Sequence, residues 1–533
     1  MAPRTLNPRF STRALSRRQL LHGFAAVAAS SVLTGCGAAL VRSISSSNGA
    51  PPAPPAPPQP TTPPATPPAP PPPTPPLQPP VPVTQPLPIG AITSASLTIS
   101  STAAGSFDPG FLGLAYEKQS LLTPIFTDSN LPGLFQRLGP GVLRIGGASV
   151  DQSVWTADGP GHTPGQVAPP DVDALASFLG ATGWSCIYGI NLGGSATGAT
   201  TPALAAAEVA YVAQKLGSML LGVELGNECE TYGSSFYPNN WSVEIFEALW
   251  QQYRSAIVAV TPGAHLCGPA AGSNLDTWTL PFGEYVTSDE INLLTQHHTR
   301  GPASNASVDD LVSPDAALST ELLMLHYGAQ SIDVPFRIDA LSSYDDGGAP
   351  GVSNSYASAL WVIDTIFQTA LAGAAGVNLQ CGGQQAATAI TDNNGIVLGP
   401  QPVFYGALLA AMAGTGSLLS TQLSAGMLNV TAYALQTADG MSVLLVNKDE
   451  TENLDLSIVL PQAMSSATLQ QMTQLSAGAS MPSLAALSSI TIQGATVATN
   501  GAFEPGTSYS LTLNGTQLSC YVPALSAVLV QLT

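Results

Sequence analysis

Charge is scarce in this chain: Asp, Glu, Lys and Arg together make up 9 % of its 533 residues. Basic side chains are the scarcest, 14 against 33 acidic ones, for a formal net charge of −19. Six of the 14 (Arg4, Arg9, Arg13, Arg17, Arg18 and Arg42) crowd into a start that holds no Asp or Glu, so beyond it eight basic residues face all 33 acidic ones. That balance excludes nucleic acid as the main partner, because a polyanion is held by Lys and Arg that neutralise its phosphates. Cysteine is equally thin. With Cys36 set aside, Cys186, Cys229, Cys267, Cys381 and Cys520 form an odd, widely spaced set, which gives neither a disulfide framework nor the spacing of a metal site. No metal and no cofactor is expected. The leading apolar stretch, about 16 residues up to Gly35 and interrupted by His22, is too short and too polar to span a bilayer. Disorder is excluded for most of the length by 45 % apolar residues and a positive mean hydropathy.

What is present begins with an address. Ser16-Arg17-Arg18-Gln19-Leu20-Leu21 is a twin-arginine pattern, and Leu33-Thr34-Gly35-Cys36 resembles a bacterial lipobox. Residues 1–36 therefore read as a signal for export by the twin-arginine route, with Cys36 lipidated and the product anchored to the cell envelope without spanning it. Residues 37–92 read as a tether. Between 51 and 90 lie 22 of the 47 prolines, a run that forms neither helix nor sheet and stays extended.

From 93 to 413 short apolar runs alternate with helical stretches. The runs are 111–117, 142–147, 186–192, 220–226, 266–270, 292–298, 335–341 and 377–382; the clearest helices are 202–216, 243–260, 314–327 and 356–374. Eight strands alternating with helices predict an α/β fold, a (β/α)8 barrel whose strand carboxyl ends line the site. From 414 to 533 short alternating segments between Gly, Asn, Asp and Pro turns predict an all-β sandwich. Residues 93–104 hold a strand-like stretch that can pair into that sandwich.

Chemistry should gather at the ends of the runs. Gly226-Asn227-Glu228 closes the fourth. An Asn-Glu pair there, with a carboxylate after strand seven, describes a retaining glycosidase: Glu228 as acid/base, Asn227 on the sugar 2-hydroxyl, and a nucleophile about 5–5.5 Å away. The chain resembles glycoside hydrolase family 79, the β-glucuronidase and heparanase-like group, from residue 108 to the end. The likeness rests on Gly113-Leu114-Ala115-Tyr116-Glu117, on Leu143-Arg144-Ile145-Gly146-Gly147 with Asp151 and Trp155, and on Gly226-Asn227-Glu228. It continues through Leu294-Thr295-Gln296-His297, Phe336-Arg337-Ile338-Asp339, Gly347-Gly348 and Ala357-Ser358-Ala359-Leu360-Trp361. The resemblance implies a glycan of the β-linked glucuronic acid type, touched by Tyr116, Glu117, Asn227, Asp151, His297, Tyr344 and Gln380. Asp151 has a second reading as a helix cap, and the Gly382-Gly383 turn beside Gln380 as a tight turn only.

The departures weigh as much as the match. The family's seventh strand carries Arg-x-x-Glu-x-Asn-Ser, and Arg337-Ile338-Asp339-Ala340-Leu341-Ser342-Ser343 places Ala340 at the nucleophile position. A methyl group forms no glycosyl ester. Asp339 is the substitute nucleophile if the register slips by one, so that Asp339 to Tyr344 echoes the family's Glu-x-Asn-Ser-x-Tyr. Without the slip, neighbours on a strand point to opposite faces. Three readings result: an impaired hydrolase, a glycan-binding lipoprotein without turnover, and an active enzyme using Asp339. In all three the acidic balance should repel sulfated polymers. Binding measured at low ionic strength is expected to be weaker for heparin than for an uncharged oligosaccharide.

Overall fold

The computed structural model describes residues 82–533. The twin-arginine pattern, Cys36 and the tether up to residue 81 lie outside the described residues. Eight parallel strands close a barrel in chain order: β1 (Leu112–Glu117), β2 (Val142–Gly146), β3 (Ser185–Ile190), β4 (Leu220–Leu225), β5 (Leu266–Ala271), β6 (Leu293–His298), β7 (Phe336–Leu341) and β8 (Gly376–Gln380), with β8 pairing back onto β1. Each lies within two residues of an apolar run. Helices α1 (Pro202–Leu216) and α2 (Val243–Val260) fill the predicted ranges. The next, α3 (Ala316–Ser331), starts later than the apolar periodicity because Asp315 caps it, accepting from Leu318 N at 3.0 Å. Helix α4 (Tyr356–Leu371) stops short of Ala374 where Gly373 turns into positive φ.

The barrel interior is layered. Val142, Ile187, Cys267 and Leu293 plug its lower part with apolar contacts. Above them the inward positions turn polar, with Arg144, Glu224 and Asp339 all buried. Arg337 ties the floor together: it donates to the carbonyls of Gly110, Phe111 and Ala375 and to Asn378 Oδ1. All five cysteines in the described residues are buried and free.

Residues after the last barrel helix, Pro402–Met412, form an eleven-stranded sheet with Ala91–Phe107 as a member. That strand pairs antiparallel with Gly416–Ser424 and parallel with Glu452–Val459. Leu97, Leu456 and Leu518 meet Val443, Leu469 and Val530 in one core, so the sheet folds onto itself as a sandwich. The leading segment is stitched to its edge. Val83 bridges to Tyr509, and the Gln85 side-chain amide exchanges two hydrogen bonds, 2.7 and 2.9 Å, with the backbone of Tyr521.

A buried ion pair adds to the apolar contacts that hold the sandwich to the barrel. Asp364 on α4 accepts from Lys448 Nζ, from Thr431 Oγ1 at 2.5 Å and from Tyr433 Oη at 3.0 Å, and the Lys448 side chain is 2 % exposed. Asp364→Ala leaves that ammonium buried without its counter-charge. Chemical denaturation is expected to show a loss of about 3 kcal/mol, and less for Asp364→Ala paired with Lys448→Met.

Candidate active site

The site grows from the alternation of strand side chains. On β7 the inward side chain of Arg337 makes Asp339, two residues on, inward as well. Its carboxylate is fully buried, with Oδ2 2.8 Å from Arg144 Nε. Asp339 thus faces the barrel axis, while Ala340 falls at a break in the β6–β7 register and is half-buried. Arg144, inward on β2, donates from Nε to Glu224 Oε2 at 2.7 Å and from Nη2 to Asn227 Oδ1 at 3.1 Å. Glu224, inward on β4, was not among the residues singled out by sequence. Its signal was there: a lone charge inside the apolar run Val223-Glu224-Leu225.

After β4 the chain turns sharply. Gly226 (φ +82°) and Glu228 (φ +48°) both take left-handed conformations, and the latter is rare outside glycine. The turn lifts the Glu228 carboxylate to the mouth, where its side chain is 44 % exposed. Gly272 leaves room opposite it: a Cβ there would come within 2.5 Å of Glu228 Oε1 and push the carboxylate aside. His297, inward on β6, lies between the two predicted carboxylates: Nδ1 is 3.0 Å from Glu228 Oε1 and Nε2 is 3.8 Å from Asp339 Oδ2.

The charges sort the protons. The hydrogen bond from His297 pulls Glu228 below the usual carboxylate range, against burial. Burial alone would lower His297, but Asp339 and Glu228 together hold it above its ordinary value. Glu224 is pushed up to about 7 by burial, with Asp339's charge adding to the shift and Arg144 opposing it. Burial would raise Asp339 too. Arg144, His297 and a hydrogen bond from Glu224 outweigh it and keep Asp339 ionised. The cluster can therefore hold an anion at 339, a shared proton at 224 and an imidazolium beside the mouth carboxylate.

Other sequence candidates lie elsewhere or do other work. Tyr116 points away from the mouth, packed against Phe126 and Phe135. Tyr344 is buried under a loop and donates to Asp310 Oδ2 at 2.7 Å. Asp151 does not cap a following helix. It accepts from the amides of Leu192 and Gly193, both at 2.9 Å, and from Tyr232 Oη at 2.5 Å, bracing the loops after β3 and β4. Glu117 holds Ser149 by its amide and hydroxyl, and Gln380 donates to Gln385 Oε1. Glu228, Asn227, His297 and Asp339 converge, and Glu117 lies near enough to act on the Arg144 charge. Among the described residues no group of His, Cys, Asp or Glu is placed to hold a metal ion.

No family model and no curated relative matches the chain. Solved structures do. A 4-O-α-L-rhamnosyl-β-D-glucuronidase from Fusarium oxysporum 12S is similar over 81 % of this chain and 100 % of its own, with 17 % identity and a TM-score of 0.67. A GH51 arabinofuranosidase from Xanthomonas axonopodis pv. citri covers 83 % of this chain and 100 % of its own at 16 % identity and a TM-score of 0.59. An α-L-arabinofuranosidase from Thermotoga maritima covers 83 % and 100 % at 14 % identity and a TM-score of 0.60. The fold, a closed barrel with a β domain, is one that glycoside hydrolases use.

The second histidine of the pair supplies a check on these electrostatics. His298 faces outward from β6, its Nδ1 2.7 Å from Glu321 Oε2 and its Nε2 3.1 Å from Asp315 Oδ2. Burial would lower it, yet these two carboxylates raise it to about 9. A raised folded-state value means the stabilisation is complete below the unfolded value near 6.5 and fades as pH climbs through 9. Wild type minus His298→Gln, measured by denaturation from pH 6 to 9.5, should lose roughly 3 kcal/mol across that window.

Proposed function

We propose that the protein is a slow glycoside hydrolase of the β-glucuronidase-like group, acting on β-linked glycans at the cell envelope. Export and anchoring rest on the twin-arginine pattern and Cys36. The observation that carries the catalytic reading is the single imidazole of His297 between Glu228 and Asp339. It supports Asp339, and not Ala340, as the partner carboxylate. Glu228, drawing the proton from His297 through their 3.0 Å hydrogen bond, passes it to the glycosidic oxygen as the bond to the anomeric carbon breaks. Asp339 forms an ester with that carbon, and water, deprotonated by Glu228, then releases the sugar with its configuration retained.

The slowness has a physical source. Both oxygens of Asp339 are without accessible surface, and the side chain is one methylene shorter than the Glu that retaining enzymes place there. To attack, it has to move away from Arg144 toward the mouth, and about 1 Å of misplacement costs on the order of 100-fold in rate. The same burial favours a second reading, a glycan-binding protein without turnover.

Phenyl β-glycosides and the purified protein separate the readings. Glu228→Gln is expected to cut turnover by about 100-fold or more. Asp339→Glu, which restores reach, should raise it by about tenfold or more, and Ala340→Glu should not. Gain in Ala340→Glu with Asp339→Asn unchanged would return the nucleophile position to 340. Silence from wild type and Asp339→Glu alike, with glycan bound, would favour the binding protein.

A further inference from the structure

Glu230 stands two residues beyond the mouth carboxylate and is tied to it through the loop after β5. It is half-buried, and one of its oxygens, Oε2, has neither accessible surface nor a hydrogen-bond partner. The other, Oε1, takes two amides at once, from Gly272 at 2.7 Å and from Ser273 at 2.8 Å, with the Ser273 hydroxyl 3.4 Å away. Those amides open the loop after β5, where the chain has just left its ladder. Ala270 stands at φ +55°, and the pairing with β6 shifts between Pro269 and Ala271. A segment that leaves a strand irregularly is fixed by whatever takes its backbone groups.

Gly272 meets both ends of the stretch Glu228-Cys229-Glu230. Its amide bonds to Glu230, and its bare Cα faces Glu228, since a Cβ there would lie 2.5 Å from Oε1 and 2.6 Å from Cδ. The Glu228 amide adds a third tie between the two loops, donating to Ala270 O at 2.9 Å. In the space so defined, Glu228 Oε1 keeps its 3.0 Å contact with His297 Nδ1. The charges agree with this closeness. Burial raises Glu230, the charge of Glu228 adds to the rise, and His297 opposes it. A buried oxygen without a partner favours the uncharged form, so the place suits a neutral group that still offers an acceptor to the two amides.

We infer that Glu230 is a positioning residue for the acid/base: by holding the amides of Gly272 and Ser273 it fixes the wall beside Glu228 and so keeps that carboxylate on His297. Its effect on turnover rests on the glycosidase reading; the contact it preserves exists with or without turnover. What the place requires is an acceptor oxygen at the reach of a Glu side chain, and not its charge. Gln supplies that oxygen and Ala does not. The charged groups around His297 are Arg144 on β2, Glu224 on β4, Asp339 on β7, and Glu228 and Glu230 in the turn after β4. Removing the Glu230 charge lowers the imidazole somewhat in either variant. Drawing Glu228 away lowers it further, because the hydrogen bond to Glu228 is among the effects that raise it.

The test sets Glu230→Ala against Glu230→Gln in the full-length protein, because both lose the charge and only Ala loses the hold on the two amides. With phenyl β-glycosides, kcat is expected to fall about tenfold or more in Glu230→Ala. In Glu230→Gln it should return to within about threefold of wild type, with KM little different between the two variants. Nitrogen NMR of histidine-labelled protein, with His297 assigned through His297→Gln, reads the contact without turnover. His297 is expected to titrate about one pH unit lower in Glu230→Ala than in Glu230→Gln. Should the Ala variant not fold, Glu230→Met, which fills the same space without an acceptor, takes its place with the same expectations. Equal kcat in the two variants, or equal titration of His297, overturns the inference and leaves the glycosidase reading standing. Wild type without turnover on every phenyl glycoside counts against the glycosidase reading instead, and the titration alone then upholds or overturns the positioning role.

Discussion

A guanidinium inside a closed barrel is the constraint from which the rest of the site follows. Arg144 cannot give up its charge, and burying it is tolerable only with opposite charge in contact. Glu224 and Asp339 supply that, and Asn227 takes the remaining donor toward the mouth. The arrangement then dictates its neighbours. A Cβ on Gly146 would sit 2.5 Å from Arg144 Cζ, and one on Gly113 would strike Asn378, so these inward positions stay bare. Burial pushes Glu224 up to about 7, the surplus of negative charge from two carboxylates on one cation adding to it, and Asp339 and Glu228 hold His297 above its ordinary value.

Much of the fold was legible because strands buried on both faces read as unbroken apolar runs, and helices carry a different period. Glu228 was legible for the same reason, since it stands where the fourth run ends. Asp339 was legible only as an alternative. Period two from Arg337 places it inward, but a seven-residue family motif pointed to Ala340, and the break in pairing beside Ala340 leaves no trace in sequence. Tyr116 was misplaced because an outward residue next to an inward one shares its motif but not its face. Tyr344 and Asp151 look like ligands in sequence since both are polar and near turns. Their partners, Asp310 for one and the amides of Leu192 and Gly193 for the other, lie 34 and 41 to 42 residues away in sequence.

The scarcity of basic residues, first met as a compositional oddity, takes on a local meaning at the mouth. With so few cations, several carboxylates of this chain are satisfied by backbone amides, and Glu117, Asp151, Glu230 and Asp392 each clasp one loop that way. Loops braced by acceptors keep their shape, while the mouth is left rich in negative charge and poor in donors.

The clasp formed by Val83 and Gln85 carries a practical corollary. These residues finish the sandwich by covering Tyr509 and the main chain of Tyr521, with the Gln85 amide standing in for a strand residue. A shortened protein that began at residue 91, the start of the first long strand, would leave those donors and acceptors bare on a sheet border. Bare borders recruit other chains, so any recombinant version meant to stay monodisperse has to retain the run from 82 onward.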